Sequence, residues 1–254
     1  MGKQEIRVYE KLSFGAGDAA NCITFGVTSA YLSYYYTDTV GISVAAVGLI
    51  LGAARIVEAF ANLLTGIAID RTKSRLGKTK PFLYATTLPL MVFFFLMFAV
   101  PDMPVTWKTV YAFVTYLLFC VLYAVNNTAY GTLLSLMTGD AAQRRSINNY
   151  KLMGIGLGTM TANACTLLLV RLFGGEVKGY SLTGLLFAVV SFILLMNCSV
   201  VCKERIGAQG ESIPLGRVLK SAVKSRSWVS LCFVALFITC SMTLRTSGLV
   251  YYAK

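Results

Sequence analysis

The stretch 53–82, AARIVEAFANLLTGIAIDRTKSRLGKTKPF, decides the architecture of this 254-residue chain. It begins as an apolar helix long enough to cross a bilayer and ends as a dense basic hairpin. Inside the apolar part sit Arg55, Glu58 and Asn62. At 100° per residue these three and Gly66 fall within about 80° of one another, which makes one polar stripe. An ionisable group at bilayer depth costs about 2.5–3.5 kcal/mol on insertion scales, so such a stripe faces a bundle interior or a water-filled cavity. On the residues alone, two readings of Arg55 and Glu58 stand: an ion pair locking two helices, or a site for a cation or proton.

The rest of the chain is built from the same material. Apolar residues make up 56% and charged residues 13%, with a mean hydropathy of +0.67. A soluble domain carries about 25% charged residues. Spans of about 20 mostly apolar residues recur seven times, at about 14–37, 43–69, 82–100, 109–137, 151–172, 180–201 and 228–252. The fold class expected is therefore all-α: a polytopic transmembrane bundle. Residues 1–201 form a six-helix bundle, 202–227 a cytoplasmic linker, and 228–254 a seventh helix.

The net charge of +12 has a topological cause. With Met1 inside, 17 of the 23 Lys and Arg fall in inner segments, and the outer loops hold only Lys108, Arg171 and Lys178. The positive-inside rule then places the N-terminus in the cytoplasm and the protein in the cell (inner or plasma) membrane, surrounded by lipid. Cations in short inter-span loops are not presented on a soluble face, so no nucleic-acid partner is expected. The leader carries Glu5 and Glu10 and runs into a span-length segment, so no cleavable signal peptide is expected. The seven cysteines lie within spans or at a span edge and read as small apolar residues. With no histidine, no metal-ligand spacing and no nucleophile–base pair, neither an enzyme nor a metal centre is expected.

Other spans carry polar stripes of their own. The first holds Asp18, Asn21 and Cys22, which either line a cavity or, in the case of Asp18, cap and solvate the inner surface. The fourth holds Tyr123, Asn126, Asn127 and Tyr130. Amides mix donors and acceptors as sugar hydroxyls require, but they also bond helix to helix. The fifth begins at Lys151 and continues Gly154, Gly158, Ala162, a small-residue face suited to close helix packing. Lys151 either snorkels to the inner surface or points inward to an anionic or hydroxyl-rich ligand. The hairpin after the second span places Asp70 and Arg71 beside Arg75 and Lys78, acid and base close enough to pair and gate an inner mouth.

Gly66, Asp70-Arg71 and Gly77-Lys78 resemble the signature loop of the major facilitator superfamily. The wider pattern is similar to its melibiose permease-like branch, the glycoside–pentoside–hexuronide:cation symporters. The stretches that carry this resemblance are LSFGAGD (12–18), YLSYYYTDTVGIS (31–43), ARIVEA (54–59), DRTKSRLGKTKPF (70–82), NNTAYGTLLSLMTGD (126–140), RRSINNYK (144–151), KERI (203–206) and YYAK (251–254). They extend over nearly the whole chain.

The resemblance implies twelve helices in two halves, of which this chain holds the N-terminal six plus helix 7. The family continues well beyond position 254, so an incomplete chain lacking its C-terminal half is expected. It implies secondary sugar:cation symport by alternating access, with a small-molecule sugar and a coupling cation as partners and no cofactor. The two helix-2 acids of the cation site fall on Glu58 and Asn62, and a helix-4 acid falls on Asn127. Sugar-contacting positions fall on Asn21, Cys22, Tyr123 and Lys151, with the sugar-gripping acid replaced by Cys22. One carboxylate among amides is a poor sodium cage, so H+ is favoured over Na+. Lys151 without that acid suits a uronide or other acidic sugar. The rival readings are a non-transporting remnant or membrane sensor, and a facilitator for a non-sugar solute.

Overall fold

The computed structural model describes residues 6–206, apart from the Glu176 side chain, together with 225, 226, 229–231, 233, 234, 237, 238 and 241. The chain divides into two units, Met1–Ala208 and Gln209–Lys254. In the second unit the described residues from 226 onward are helical. Most of the expected linker and seventh span lies outside the described residues.

The first unit consists of six long helices: α1 (Val8–Tyr34), α2 (Val44–Arg71), α3 (Lys80–Met97), α4 (Val105–Met137), α5 (Ala141–Leu172) and α6 (Glu176–Val201). No strand occurs among the described residues. The helices follow the first six expected spans and overrun most of them where polar turns continue the helix, whereas α1 and α3 each end three residues short, at Tyr34 and Met97. Helix α5 starts ten residues before Lys151, because Asp140 caps it and Arg144 and Arg145 sit on its first turns. Ser43 caps α2 in the same way, and Pro81 opens α3. Helix α1 ends in a π-turn, Tyr35–Thr39, which buries both Tyr35 and Tyr36. The Tyr35 hydroxyl donates to the Phe98 carbonyl oxygen at 2.9 Å.

Among the described residues five helices, α2 to α6, are long and apolar enough to cross a membrane. Helix α1 falls short of that apolarity because Asp18, Asn21 and a run of Thr and Ser occupy it. Its polar residues are buried instead by α5 and α6. Further neighbours are α2 with α4, α3 with α4, α3 with α6, and α5 with α6. Large apolar side chains such as Phe60, Leu64, Leu157 and Met160 stay exposed on α2 and α5, as expected of a bundle solvated by hydrocarbon.

The α1–α5 seam is held by glycines. A Cβ added at Gly154 would collide with the Gly15 carbonyl oxygen, and one at Gly158 with the Ala19 backbone. Small residues at helix spacing let the two backbones approach until dispersion contacts accumulate, which is the main attraction left between helices in lipid.

At one end of the bundle, residues just past α6 form a clasp. Glu204 accepts hydrogen bonds from the backbone N–H groups of Lys78, Thr79 and Lys80 and from the Thr79 hydroxyl. It therefore caps the start of α3 where the helix dipole is positive. Arg205 forms an ion pair with Glu10 at 2.7 Å, and the Arg205 and Ile206 amides both donate to the Leu136 carbonyl at the end of α4. Three residues, Glu204, Arg205 and Ile206, tie α6 to α1, α3 and α4. Burial raises the Glu204 carboxyl, but the Thr79 hydroxyl and the three amides together hold it below its usual value.

Replacing Gly154 with Leu is expected to cost about 1–3 kcal/mol of stability by overpacking the seam. Gly156→Ala, whose added Cβ meets nothing within 4 Å, is expected to change stability by less than about 0.5 kcal/mol. Thermal unfolding in detergent measures both. A carboxyl held low contributes stability above its ordinary value of 4.5 and loses it as pH falls through the depressed value. The wild-type midpoint should therefore exceed that of Glu204→Gln near neutral pH, and the gap should narrow on acidification. A gap independent of pH would overturn this role.

Candidate functional site

Two clusters form on the α1, α2, α4 and α5 side of the unit. The first joins α2 to α4. Arg55 donates to Glu58 Oε2 at 2.7 Å, an i,i+3 ion pair in which the Glu58 side chain is 15% exposed and Arg55 44%. The pair acts electrostatically on Tyr116, Cys120 and Tyr123 of α4. One turn further along α2, Asn62 Oδ1 accepts from the Thr128 hydroxyl at 2.8 Å. The α2 stripe thus faces α4, as its 3.6-residue spacing requires. Asn127 is exposed on α4, one turn beyond Tyr123.

The second cluster joins α1 to α5. Asp18 and Asn21 are buried, and Asp18 Oδ2 and both amide atoms of Asn21 have no hydrogen-bond partner among the described residues. A buried unpaired polar group costs about 1–3 kcal/mol. Cys22, half-buried, packs on α5 at Gly158. Lys151 lies within electrostatic range of both Asp18 and Cys22, although it forms no ion pair with Asp18 within 4.0 Å. Asp18 is buried rather than solvated, and Lys151 is half-buried.

Aromatic rings connect the clusters. The Arg55 guanidinium lies 5.3 Å from the centre of the Phe25 ring. Phe25 stacks on Tyr123 at 5.7 Å, and Tyr123 on Phe119 at 5.8 Å. A cation over a ring face gains about 0.5–2 kcal/mol. Phe25 and Thr128 belong to this arrangement and were missed by sequence reasoning. Phe25 reads as one more lipid-facing apolar residue, and Thr128 as a neutral helix hydroxyl. The spacing of Phe25 from Cys22 was the available signal for the first.

Asn126 does not join Tyr123 and Asn127. It is fully buried against α3, where its amide nitrogen donates to the Thr86 and Thr87 hydroxyls at 3.0 and 3.1 Å. Adjacent residues on a helix point about 100° apart, so one asparagine of the pair had to turn away. Tyr130 likewise serves packing, donating to the Phe14 carbonyl oxygen and stacking on its ring.

The hairpin behaves differently from a self-paired gate. The Asp70 carboxylate has no cation within 4.0 Å among the described residues, and Lys78 donates instead to the Asp70 backbone carbonyl. Arg71 and Arg75 are exposed. The acid that engages the hairpin is Glu204, from the far end of the unit's sequence.

A family profile described as MFS/sugar transport protein matches residues 13–254. The chain is 30% identical to the inner membrane symporter YicJ of Escherichia coli (strain K12), covering 99% of this chain and 55% of that protein. It is 32% identical to the isoprimeverose transporter of Lactiplantibacillus pentosus, covering 96% of this chain and 52% of that one. The glucuronide carrier protein homolog of Escherichia coli (strain K12) is 28% identical, over 96% and 54%. The chain spans about half the length of the curated relatives it matches. Five membrane-length apolar helices and this match over most of the sequence make it a multi-pass membrane protein, and it belongs to the MFS/sugar transport protein family.

Proposed function

We propose that the chain is the N-terminal half of a sugar:cation symporter working by alternating access, with its N-terminus in the cytoplasm. The observation that carries this reading is the Arg55–Glu58 pair facing α4, next to the α1–α5 cluster with its unpaired Asp18 and Asn21 atoms. Names of relatives include a symporter, an isoprimeverose transporter and a glucuronide carrier homolog, which supports a glycoside, pentoside or uronide as substrate class. Facing helices from a second half would complete the cavity.

In this reading Glu58 binds the coupling cation. Arg55 holds only Oε2, so the cation must either displace the guanidinium or share the carboxylate through Oε1. A proton does this without further ligands. Sodium needs several oxygens, and Asn62 Oδ1 already accepts from Thr128. We therefore favour H+. Neutralising Glu58 frees Arg55 and changes the charge next to Phe25 and Tyr123, which couples ion binding to the sugar-binding faces of α1 and α4. Cys22, Tyr123 and Lys151 bind sugar, and Lys151 favours an acidic one. The membrane potential supplies about 2.3 kcal/mol per charge per 100 mV to the cycle.

In the transporter containing both halves, Glu58→Gln is expected to abolish gradient-driven accumulation while leaving downhill exchange. Undiminished uphill uptake would overturn the coupling role. Lys151→Gln is expected to lower uptake of uronides more than of neutral glycosides, measured with a panel of labelled sugars. Equal loss across the panel would remove the charge-recognition role.

A further inference from the structure

The basic hairpin encloses more than loop charge. A cavity of about 590 Å³ is lined by Lys73, Arg75, Lys78, Lys80 and Lys203, with Glu204 as its lining carboxylate. That carboxylate offsets one of the five positive charges, and its oxygens accept from the amides of residues 78–80 and the Thr79 hydroxyl rather than from a cation. None of the five cations has a carboxylate within 4.0 Å among the described residues. So many like charges around one concavity repel one another, and an anion there relieves the repulsion.

A second feature selects the anion. Between α3 and α6 runs a groove of about 240 Å³ lined only by apolar side chains, among them Leu88, Val92 and Phe95 of α3 and Leu185, Val189 and Phe192 of α6. At 100° per residue, Met91, Phe95 and Leu88 fall about 20°, 60° and 80° from Lys80 around α3, so the groove begins on the side of the helix that carries the cavity's Lys80. On α6, Phe192, Met196 and Ser199 run along one face toward the helix end, which lies two residues before Lys203. Leu88 is eight residues from Lys80, about 12 Å along the helix at 1.5 Å per residue. A charged head and an apolar tail at that separation match a phospholipid, whereas free phosphate would use the cavity alone.

We propose that this is a binding site for an anionic phospholipid. Lys73, Arg75, Lys80 and Lys203 hold its phosphate, and one acyl chain lies in the α3–α6 groove. The site is independent of the transported solute and of the coupling ion.

The test uses the purified chain in detergent, titrated with phosphatidylglycerol, phosphatidylcholine or inorganic phosphate and read by native mass spectrometry and thermal shift. Phosphatidylglycerol should bind at least about tenfold tighter than phosphatidylcholine, since each basic residue adds to anionic-lipid affinity. Lys73→Gln with Lys80→Gln should weaken phosphatidylglycerol about tenfold. Val189→Trp, at an exposed groove position, should weaken the lipid and leave inorganic phosphate unchanged. Circular dichroism of each variant checks that the helices persist, and a variant that loses them is replaced by Arg75→Gln with Lys203→Gln or by Leu88→Trp. Equal binding of the two lipids, or phosphatidylglycerol unaffected by the charge variants, would overturn the proposal. Inorganic phosphate binding as tightly as phosphatidylglycerol, with no effect of the groove variant, would also overturn it in favour of a free-anion site.

Discussion

The contact on which the rest of this unit depends is the close approach of α1 and α5 at Gly15 and Gly154. In hydrocarbon, apolar burial does not drive helices together, so packing distance decides which pairs form. Helix α1 carries too many polar groups to face lipid on all sides, and the glycine seam lets α5 cover them. The same seam sets Asp18 and Cys22 opposite Lys151. A side chain at Gly154 would separate the helices and expose Asp18 and Asn21 to lipid, which is the costliest place for them.

Polar residues serve two different ends here. The Asn126 amide nitrogen and the Tyr130 hydroxyl have partners on other helices and knit them together, although Asn126 Oδ1 is itself unpaired among the described residues. Asp18 and Asn21 are buried with unpaired atoms, and Glu58 keeps one oxygen outside its ion pair. A membrane helix tolerates unpaired groups of this kind where they meet a ligand or a neighbour. The clasp at Glu204 and Arg205 works on the same principle at the bilayer edge, where charge-assisted bonds replace water on the end of a helix.

Much of the fold was legible because lipid imposes a simple rule. Each span must be helical and about 20 apolar residues long, and that rule located α2 to α6 and the polar α1. The stripe Arg55–Glu58–Asn62 was legible for the same reason, since helix periodicity alone sets those residues on one face. The pairing of the hairpin was not legible. Asp70 and Arg71 are neighbours in sequence, whereas the acid that engages the hairpin, Glu204, lies more than a hundred residues away and is brought there by α6.

The sequence by itself determined that this is a helical membrane protein, where its spans fall, which residues share a helix face, and its resemblance to a transport family. The resemblance rests on the matching stretches themselves, and the rest follows from local periodicity and composition. Only the tertiary structure decided which face meets which neighbour. It turned Asn126 into α3 and left Asn127 exposed, placed Phe25 between Arg55 and Tyr123, and gathered five cations around one cavity. Those choices depend on how closely backbones can approach and on the order of helices around the bundle, which no single helix encodes.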